Sequence, residues 1–186
     1  MLEDSDADVR RDAALALGSI GAETETVVPQ LIPLLEDSDS GVRSDAAFAL
    51  GDIGAEAKTA LSQLVPLLKD SDSGVRDAVA KAFEKIGLSL QKKAHWLTSL
   101  ELDIAVSNLE SALKIVAEPE ANFSQSTIAN LRIYINALKA AQSNRPFIQS
   151  IPTNPYIWGI YLFFLFGTSA TPRRWWRKIY ETLKPK

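Results

Sequence analysis

The sequence contains no cysteine and a single histidine among its 186 residues. The absence of cysteine excludes disulfide bonds, thiol catalysis and every metal site that needs a thiolate ligand. With one histidine, metal sites built from clustered histidines are excluded as well. The composition is otherwise that of a folded protein, with 46% hydrophobic and 23% charged residues. A chain of this length has room for one domain, or for one domain with an appendage.

The net charge of −3 is the average of two different halves. Residues 1–87 contain 17 acidic and 8 basic residues, which gives −9, whereas residues 88–186 contain 6 acidic and 12 basic residues, which gives +6. The acidic half would repel a polyanion, because nucleic-acid binding depends on neutralising phosphates with basic residues. The one basic aromatic cluster, at 173–178, lies beside an apolar stretch and fits a lipid headgroup layer better than nucleic acid, so we expect no nucleic-acid partner.

The acidic half repeats itself with a period of 33 residues. The segment Leu-Glu-Asp-Ser-Asp-Ala-Asp-Val-Arg at 2–10 returns at 35–43 and at 68–76 with few changes. A fixed period between 20 and 50 residues is typical of solenoids, in which each repeat is one packed supersecondary unit.

Each repeat predicts two helices. A short carboxylate begins the first helix as its N-cap, an apolar stripe at helical spacing follows, and glycine ends it. The caps are Asp6, Asp39 and Asp72, and the glycines are Gly21, Gly54 and Gly87. The buried stripes are Val9, Ala13, Ala16, Leu17 and Ile20, then Val42, Ala46, Ala49, Leu50 and Ile53, then Val75, Val79, Ala82, Phe83 and Ile86. The apolar residues of the second helix are Val28, Leu31, Ile32 and Leu35 in the first unit and Leu61, Leu64, Val65 and Leu68 in the second. We expect Pro33 and Pro66 to bend these helices, because proline removes a backbone donor.

These motifs resemble HEAT repeats of the bacterial, cyanobacterial kind first described in phycobilisome lyases. The resemblance rests on the Asp-Ser-Asp-x-x-Val-Arg starts, on Ala-Ala-Phe-Ala-Leu-Gly-Asp-Ile-Gly at 46–54 and on Leu-Val-Pro-Leu-Leu at 64–68, and it covers residues 1–88. It implies an all-α solenoid that binds proteins; a minority of such families act on tetrapyrrole chromophores. The third unit departs from the pattern at Glu84-Lys85, and no second helix of matching pattern follows it.

Two further expectations concern the rest of the array. The chain opens within a unit, at Met1 and Leu2, so we expect it to be the C-terminal piece of a longer array. Segments 108–116 and 122–125 resemble regions that follow HEAT arrays in large cyanobacterial signalling NTPases, which implies a sensor role as one alternative.

Residues 89–142 predict a helical hairpin after the repeats at 1–88. Its first helix carries an apolar seam, which ends at Glu118-Pro119, and Ser124 or Ser126 begins the second helix. We expect the hairpin to close the solenoid, with an exposed seam for dimerisation as the alternative. The seam residues are Leu102, Val106, Leu109, Leu113 and Val116, and the second stripe is Ile128, Leu131, Ile135 and Leu138.

Residues 143–186 form an apolar, aromatic and basic tail. No charge occurs between Pro146 and Pro172, and a basic aromatic cluster follows. The apolar stretch after Pro155 reaches about 25 Å as a helix, short of a ~30 Å bilayer core. We expect contact with a membrane surface through 156–178, as a re-entrant or monotopic anchor of a cytoplasmic protein, with a span, plain core packing and a protein-binding peptide as alternatives. The candidate contacts are Trp158, Phe163, Phe164, Arg173, Arg174, Trp175, Trp176, Arg177 and Lys178.

No catalytic constellation is visible. The recurring Arg10, Arg43 and Arg76 predict a ladder of ion pairs with loop carboxylates such as Asp37 and Asp70, rather than an anion site.

The other candidate sites have structural explanations. The Asp-Ser-Asp triplets lack the closing glutamate of a calcium loop, and Gly18–Gly21 and Gly51–Gly54 are interpreted as turns because the lysine of a phosphate loop is missing. His95 is interpreted as a surface or hydrogen-bonded side chain rather than a catalyst. The sequence thus predicts a non-enzymatic protein-binding scaffold without metal or cofactor, with a bilin-lyase-like chromophore-handling subunit as a further alternative.

Overall fold

The computed structural model describes residues 1–20 and 24–144, and all regular secondary structure in this part of the chain is helical, without a strand. Residues Met1–Asn144 belong to one compact unit. Short 3-10 helices connect or extend the α-helices at Ile32–Glu36, Gly54–Ala60 and Pro119–Ala121. The α-helices are α1 (Ala7–Ile20), α2 (Thr24–Leu31), α3 (Ser40–Ile53), α4 (Leu61–Leu67), α5 (Ser73–Lys93), α6 (Ser99–Val116) and α7 (Gln125–Ser143).

The helices form two layers, as expected for an α-solenoid. In one layer α1 packs on α3, α3 on α5 and α5 on α7. In the other layer α2 packs against the 3-10 helix that precedes α4, and α4 packs on α6. The predicted fold class, an all-α solenoid of helical pairs, is confirmed. Helix α6 takes the place of the third unit's second helix although its sequence lacks the repeat pattern, and α7 continues the first layer.

Helix starts follow the capping chemistry of the sequence. The Asp39 carboxylate accepts a hydrogen bond from the Val42 amide at 3.0 Å, and Asp72 accepts from Val75 at 3.1 Å. Thr98 begins α6 with a complete capping box. Helix α7 is capped by Ser124, whose hydroxyl accepts from the Thr127 amide at 3.1 Å, and not by the alternative Ser126. Each cap satisfies an amide that the helix leaves without an intrahelical partner.

Only one of the predicted glycine stops is observed in the described residues. Gly54 follows α3 with a positive φ of 75°, a conformation that glycine adopts without strain. The prediction that Gly87 ends a helix is wrong, because α5 continues through it to Lys93. A Cβ at Gly87 would lie 2.7 Å from Cδ2 of Tyr134, so this glycine allows α7 to approach α5. Gly21 lies outside the described residues.

Gly18 and Gly51 are contact residues inside helices, and their interpretation as turn residues is wrong. A Cβ at Gly18 would lie 2.7 Å from Cβ of Ala49, and one at Gly51 would lie 2.9 Å from Cα of Ala82. The glycines therefore set the close approach of successive first helices, because any side chain there would push the helices apart. In the third unit Glu84 occupies this position.

The two prolines that were expected to bend the second helices lie in different surroundings: Pro33 in a 3-10 helix and Pro66 near the end of α4. In the first unit α2 ends at Leu31 and the chain continues as the 3-10 helix that contains Pro33. In the second unit a 3-10 helix precedes α4, which contains Pro66. Proline removes a backbone donor and disfavours regular continuation of a helix.

The core runs between the layers, and the hairpin seams are part of it. Leu102 and Leu109 of α6 are fully buried, and so are Leu131 and Leu138 of α7. Because these side chains are covered within the chain, the alternative of an exposed dimerisation seam on α6 is wrong.

Candidate functional site

Two bidentate ion pairs join the first three units. The Arg10 guanidinium donates from Nε and Nη2 to the two Asp37 carboxylate oxygens at 2.8 and 2.9 Å. Arg43 donates to Asp70 in the same way, with both distances 2.9 Å. The third nitrogen, Nη1, donates to carbonyl oxygens of the loop before the arginine's own helix, including that of Asp4 for Arg10. These pairs form a ladder that connects each unit to the next.

The charged groups of the ladder are occupied by each other. The hydrogen bonds from Arg10 and Arg43 lower the pKa of the Asp37 and Asp70 carboxyl groups, although partial burial opposes the shift. The same hydrogen bonds raise the pKa of both arginines. Both members of each pair therefore stay charged near neutral pH, and all three guanidinium nitrogens are engaged. This geometry clamps successive units together rather than forming an open anion site.

The ladder ends at Arg76. Its Nη1 donates to the carbonyl oxygens of Asp70 and Ser71 at 2.7 and 3.0 Å, as in the other units. Within residues 1–20 and 24–144, it forms no salt bridge. The loop before α7 has Asn122 two residues ahead of the cap Ser124, where the earlier loops have aspartate.

The amino-terminal face of α1 differs from the equivalent faces of α3 and α5. We define the α1 face by Val9, Ala13, Ala16 and Leu17. Ala16 is exposed and the other three are half-buried. The residues one and two periods later are at most 1% exposed, namely Val42, Ala46, Ala49 and Leu50 in α3 and Val75, Val79, Ala82 and Phe83 in α5. The same pattern is thus buried in two units and open in the first.

Three large apolar side chains are exposed just before and within the first turns of α6. The side chains of Trp96, Leu100 and Ile104 are 79%, 67% and 48% exposed. We call these three residues the α6 patch. Leu100 and Ile104 were not predicted as exposed apolar residues, although they fall outside the buried spacing of Leu102, Val106 and Leu109 on the same helix.

The described residues contain no cluster of catalytic or metal-ligating side chains. His95 is exposed, and its ring centroid lies 4.6 Å from that of Trp96. No group of three or more potential metal ligands comes together in the part of the chain that the structure describes. No helix within that part is long and apolar enough to cross a membrane.

The candidate membrane contacts at 156–178 lie outside the described residues. They therefore remain predictions from the sequence.

Further ion pairs that were not predicted from the sequence also link the units. Arg11 Nε lies 2.8 Å from the Asp45 carboxylate. Lys85 pairs with Asp52, and its Nζ lies 4.1 Å from the Phe48 ring centroid.

Comparison with known proteins agrees with this geometry. The family model described as HEAT repeats matches residues 1–84 and 28–103, which together span more than half of the chain. The chain belongs to the HEAT-repeat family. This HEAT-repeat chain is similar to the crystal structure of an engineered protein, with 23% identity over 91% of this chain and 70% of that one and a TM-score of 0.51. It is also similar to the complex of CpcE and CpcF of phycocyanin lyase from Nostoc sp. PCC7120, with 19% identity over 90% and 68% of the chains and a TM-score of 0.44. No curated protein sequence matches it. These likenesses concern the fold.

Proposed function

We propose that this HEAT-repeat chain is a non-enzymatic protein-binding scaffold, and that the α6 patch is its binding surface. The observation that carries the proposal is the exposure of Trp96, Leu100 and Ile104, which include the most exposed tryptophan and leucine side chains of the described residues. Tryptophan is enriched at the energetic centres of protein interfaces, where its large apolar surface is removed from water. Family membership supports the same function, since HEAT repeats generally bind proteins.

The surroundings of the patch suit a protein partner. Ser99, Asp103 and Ser107 are exposed on the same helix, so polar side chains border the apolar ones. An apolar centre with a polar rim is the usual arrangement of an interface. Residues 1–144 contain 22 acidic and 13 basic residues, a net charge of −9, which favours association with a basic or polar partner.

Affinity purification from the source cells with variants of the full chain tests the patch. The double variant Trp96→Ser with Leu100→Ser removes the two most exposed side chains of the α6 patch. Ile133→Ser, on α7 and 55% exposed, is the matched control. We expect proteins captured by the wild type and the control to be lost from the double variant, with unchanged circular dichroism. Identical captured proteins for all three chains would show that the patch is not the binding surface.

We propose further that residues 156–178 hold the scaffold at a membrane surface. The supporting observation is in the sequence: 27 uncharged residues, Pro146–Pro172, precede Arg173, Arg174, Arg177 and Lys178. Residues 145–186 contain 7 basic residues and 1 acidic residue, so the +6 of the second half lies in this tail. Basic residues beside apolar and tryptophan side chains favour anionic headgroups.

Vesicle flotation tests the anchor. We expect the full chain to float with anionic phospholipid vesicles, and a chain that ends at Ser143 to stay in solution. Replacing Arg173, Arg174, Arg177 and Lys178 with glutamine keeps the apolar stretch and is expected to weaken flotation with anionic vesicles specifically. Equal partitioning of the full and shortened chains would refute the anchor.

A further inference from the structure

An open groove lies in the second layer, between the 3-10 helix Ile32–Glu36 and α4. Its volume is about 440 Å³, which leaves room for more than one side chain. Both walls lie inside the repeat array, so the groove belongs to the contact between two successive units. We call it the second-layer groove, and the residues that line it include Ile32, Glu36, Ser62, Gln63, Pro66 and Leu67.

The groove has an apolar part and an acidic end. Its apolar part contains Ile32 and Leu67, which are half-buried, and Pro66, which is exposed. The last lining residue is Glu36 on one wall and Asp70 on the other, so two carboxylates lie beyond the apolar part. An occupant that places an apolar side chain next to a cation complements this arrangement.

The two carboxylates differ in what they already bind. Asp70 accepts both hydrogen bonds of the Arg43 fork and is occupied by the ladder. Glu36 is exposed, and within residues 1–20 and 24–144 it forms no salt bridge. No basic side chain lines the groove among the residues that the structure describes. Glu36 is therefore the carboxylate that a cation from a binding partner can reach.

The position one period after Glu36 shows how a charge is used there within the array. Lys69 stands 33 residues later, and its Nζ lies 3.2 Å from Oε2 of Glu118 in the segment between α6 and α7. A charged side chain at this position thus pairs with an opposite charge from an element that follows in the array. At Glu36 the sign is reversed and the opposite charge is missing, which favours a basic group as the occupant.

We propose that the second-layer groove binds a basic segment of a partner protein, in which an apolar side chain lies on Ile32 and Leu67 and an adjacent arginine pairs with Glu36. Arginine suits this place because its aliphatic stem covers apolar surface while its guanidinium stays at the edge in water. Gln63 adds a polar contact: its Oε1 accepts from the Ser62 hydroxyl at 2.8 Å, and its Nε2 is left to donate to a backbone carbonyl of the segment.

The groove is a binding surface additional to the α6 patch, and the two proposals can fail independently. Both surfaces lie on second-layer elements, but they share no residue. The net charge of −9 over residues 1–144 favours the approach of a basic segment to either surface.

Methyl NMR of the full chain tests the groove with the probe peptide acetyl-Gly-Leu-Arg-Gly-amide. We expect saturable shifts of the Ile32 and Leu67 methyl signals. A peptide with glutamine in place of arginine should bind about 2- to 5-fold more weakly, as for the loss of an exposed ion pair. Glu36→Gln should weaken binding of the arginine peptide by the same factor, and the two losses should not add. The matched control Glu120→Gln, also exposed but outside the groove, should leave binding unchanged.

Two further variants separate the groove from other surfaces. Ser62→Phe, at an exposed position of α4, should fill the groove and abolish the peptide-induced shifts without changing the circular dichroism. Trp96→Ser with Leu100→Ser should bind the peptide like the wild type, even if this variant loses its captured proteins.

Three results would overturn the proposal: no saturable shift at Ile32 and Leu67, equal binding of the arginine and glutamine peptides, or loss of the shifts when the α6 patch is removed. Shifts of the same methyl signals when the chain alone is concentrated would identify a second copy as the occupant, and would overturn it as well.

Discussion

Leu17 and Leu50 occupy the same position of successive units but differ in burial, and this difference predicts unequal effects of the same substitution. Leu50 is fully buried, whereas Leu17 is half-buried on the α1 face. Leu50→Ala removes buried methyl groups and leaves a cavity that α1 and α5 can only partly fill, for which about 2.7–5 kcal/mol of unfolding free energy is the usual loss. Leu17→Ala opens no enclosed cavity and returns only part of a leucine surface to water, which corresponds to about 1 kcal/mol.

Thermal and urea unfolding followed by circular dichroism at 222 nm measure the difference. We expect the losses of unfolding free energy of the two variants to differ by at least about 1.5 kcal/mol, which corresponds to a difference in Tm of roughly 3–6 °C for a chain of this size. Equal losses for the two variants in the parent chain would refute the interpretation that the α1 face is open.

The remaining predictions concern the ladder, the helix contacts and the caps. Because the arginines lower the pKa of Asp37 and Asp70, the two ion pairs contribute to stability above the ordinary aspartate pKa of about 3.9, and this contribution is lost as the pH falls through the lowered values. Measurement of the unfolding free energy from about pH 6 to about pH 2 tests this, and Asp70→Asn should make the free energy depend less on pH. Gly51→Ala should be neutral to destabilising by about 2 kcal/mol, since crowding against Ala82 opposes the better helix propensity, and a more stable variant would contradict the close contact. Thr98→Ala should lower the unfolding free energy by about 1 kcal/mol through loss of the capping box, and an unchanged midpoint in urea would contradict this.

Several local features followed from the sequence because they depend on neighbouring residues. The caps at Asp39 and Asp72 require only a short carboxylate ahead of an apolar stripe, and the stripe itself requires only helical spacing. The pairing of Arg10 with Asp37 was also accessible, because a repeat places equivalent residues side by side once stacking is assumed.

Other features depended on distances between helices, which spacing in one unit does not contain. Gly87 has the sequence position of a helix stop, yet α5 continues through it, and the Tyr134 ring of α7 lies where a Cβ at Gly87 would stand. Gly51 resembles a turn residue, yet it lies inside α3 at a close contact with Ala82 of α5. A glycine pattern alone cannot distinguish a turn from a close contact, since both need the absence of a side chain.

The sequence by itself determined the helical pairs, their period of 33 residues and the chemistry of the ladder, because these depend on local propensity and on repetition. Only the tertiary structure decided that α6 and α7 continue the two layers without the repeat pattern, and that equivalent apolar positions are buried in α3 and α5 but open in α1. Burial depends on what lies across an interface. A residue's own sequence neighbours therefore specify which face is apolar, and the packing of the whole array specifies whether that face is covered.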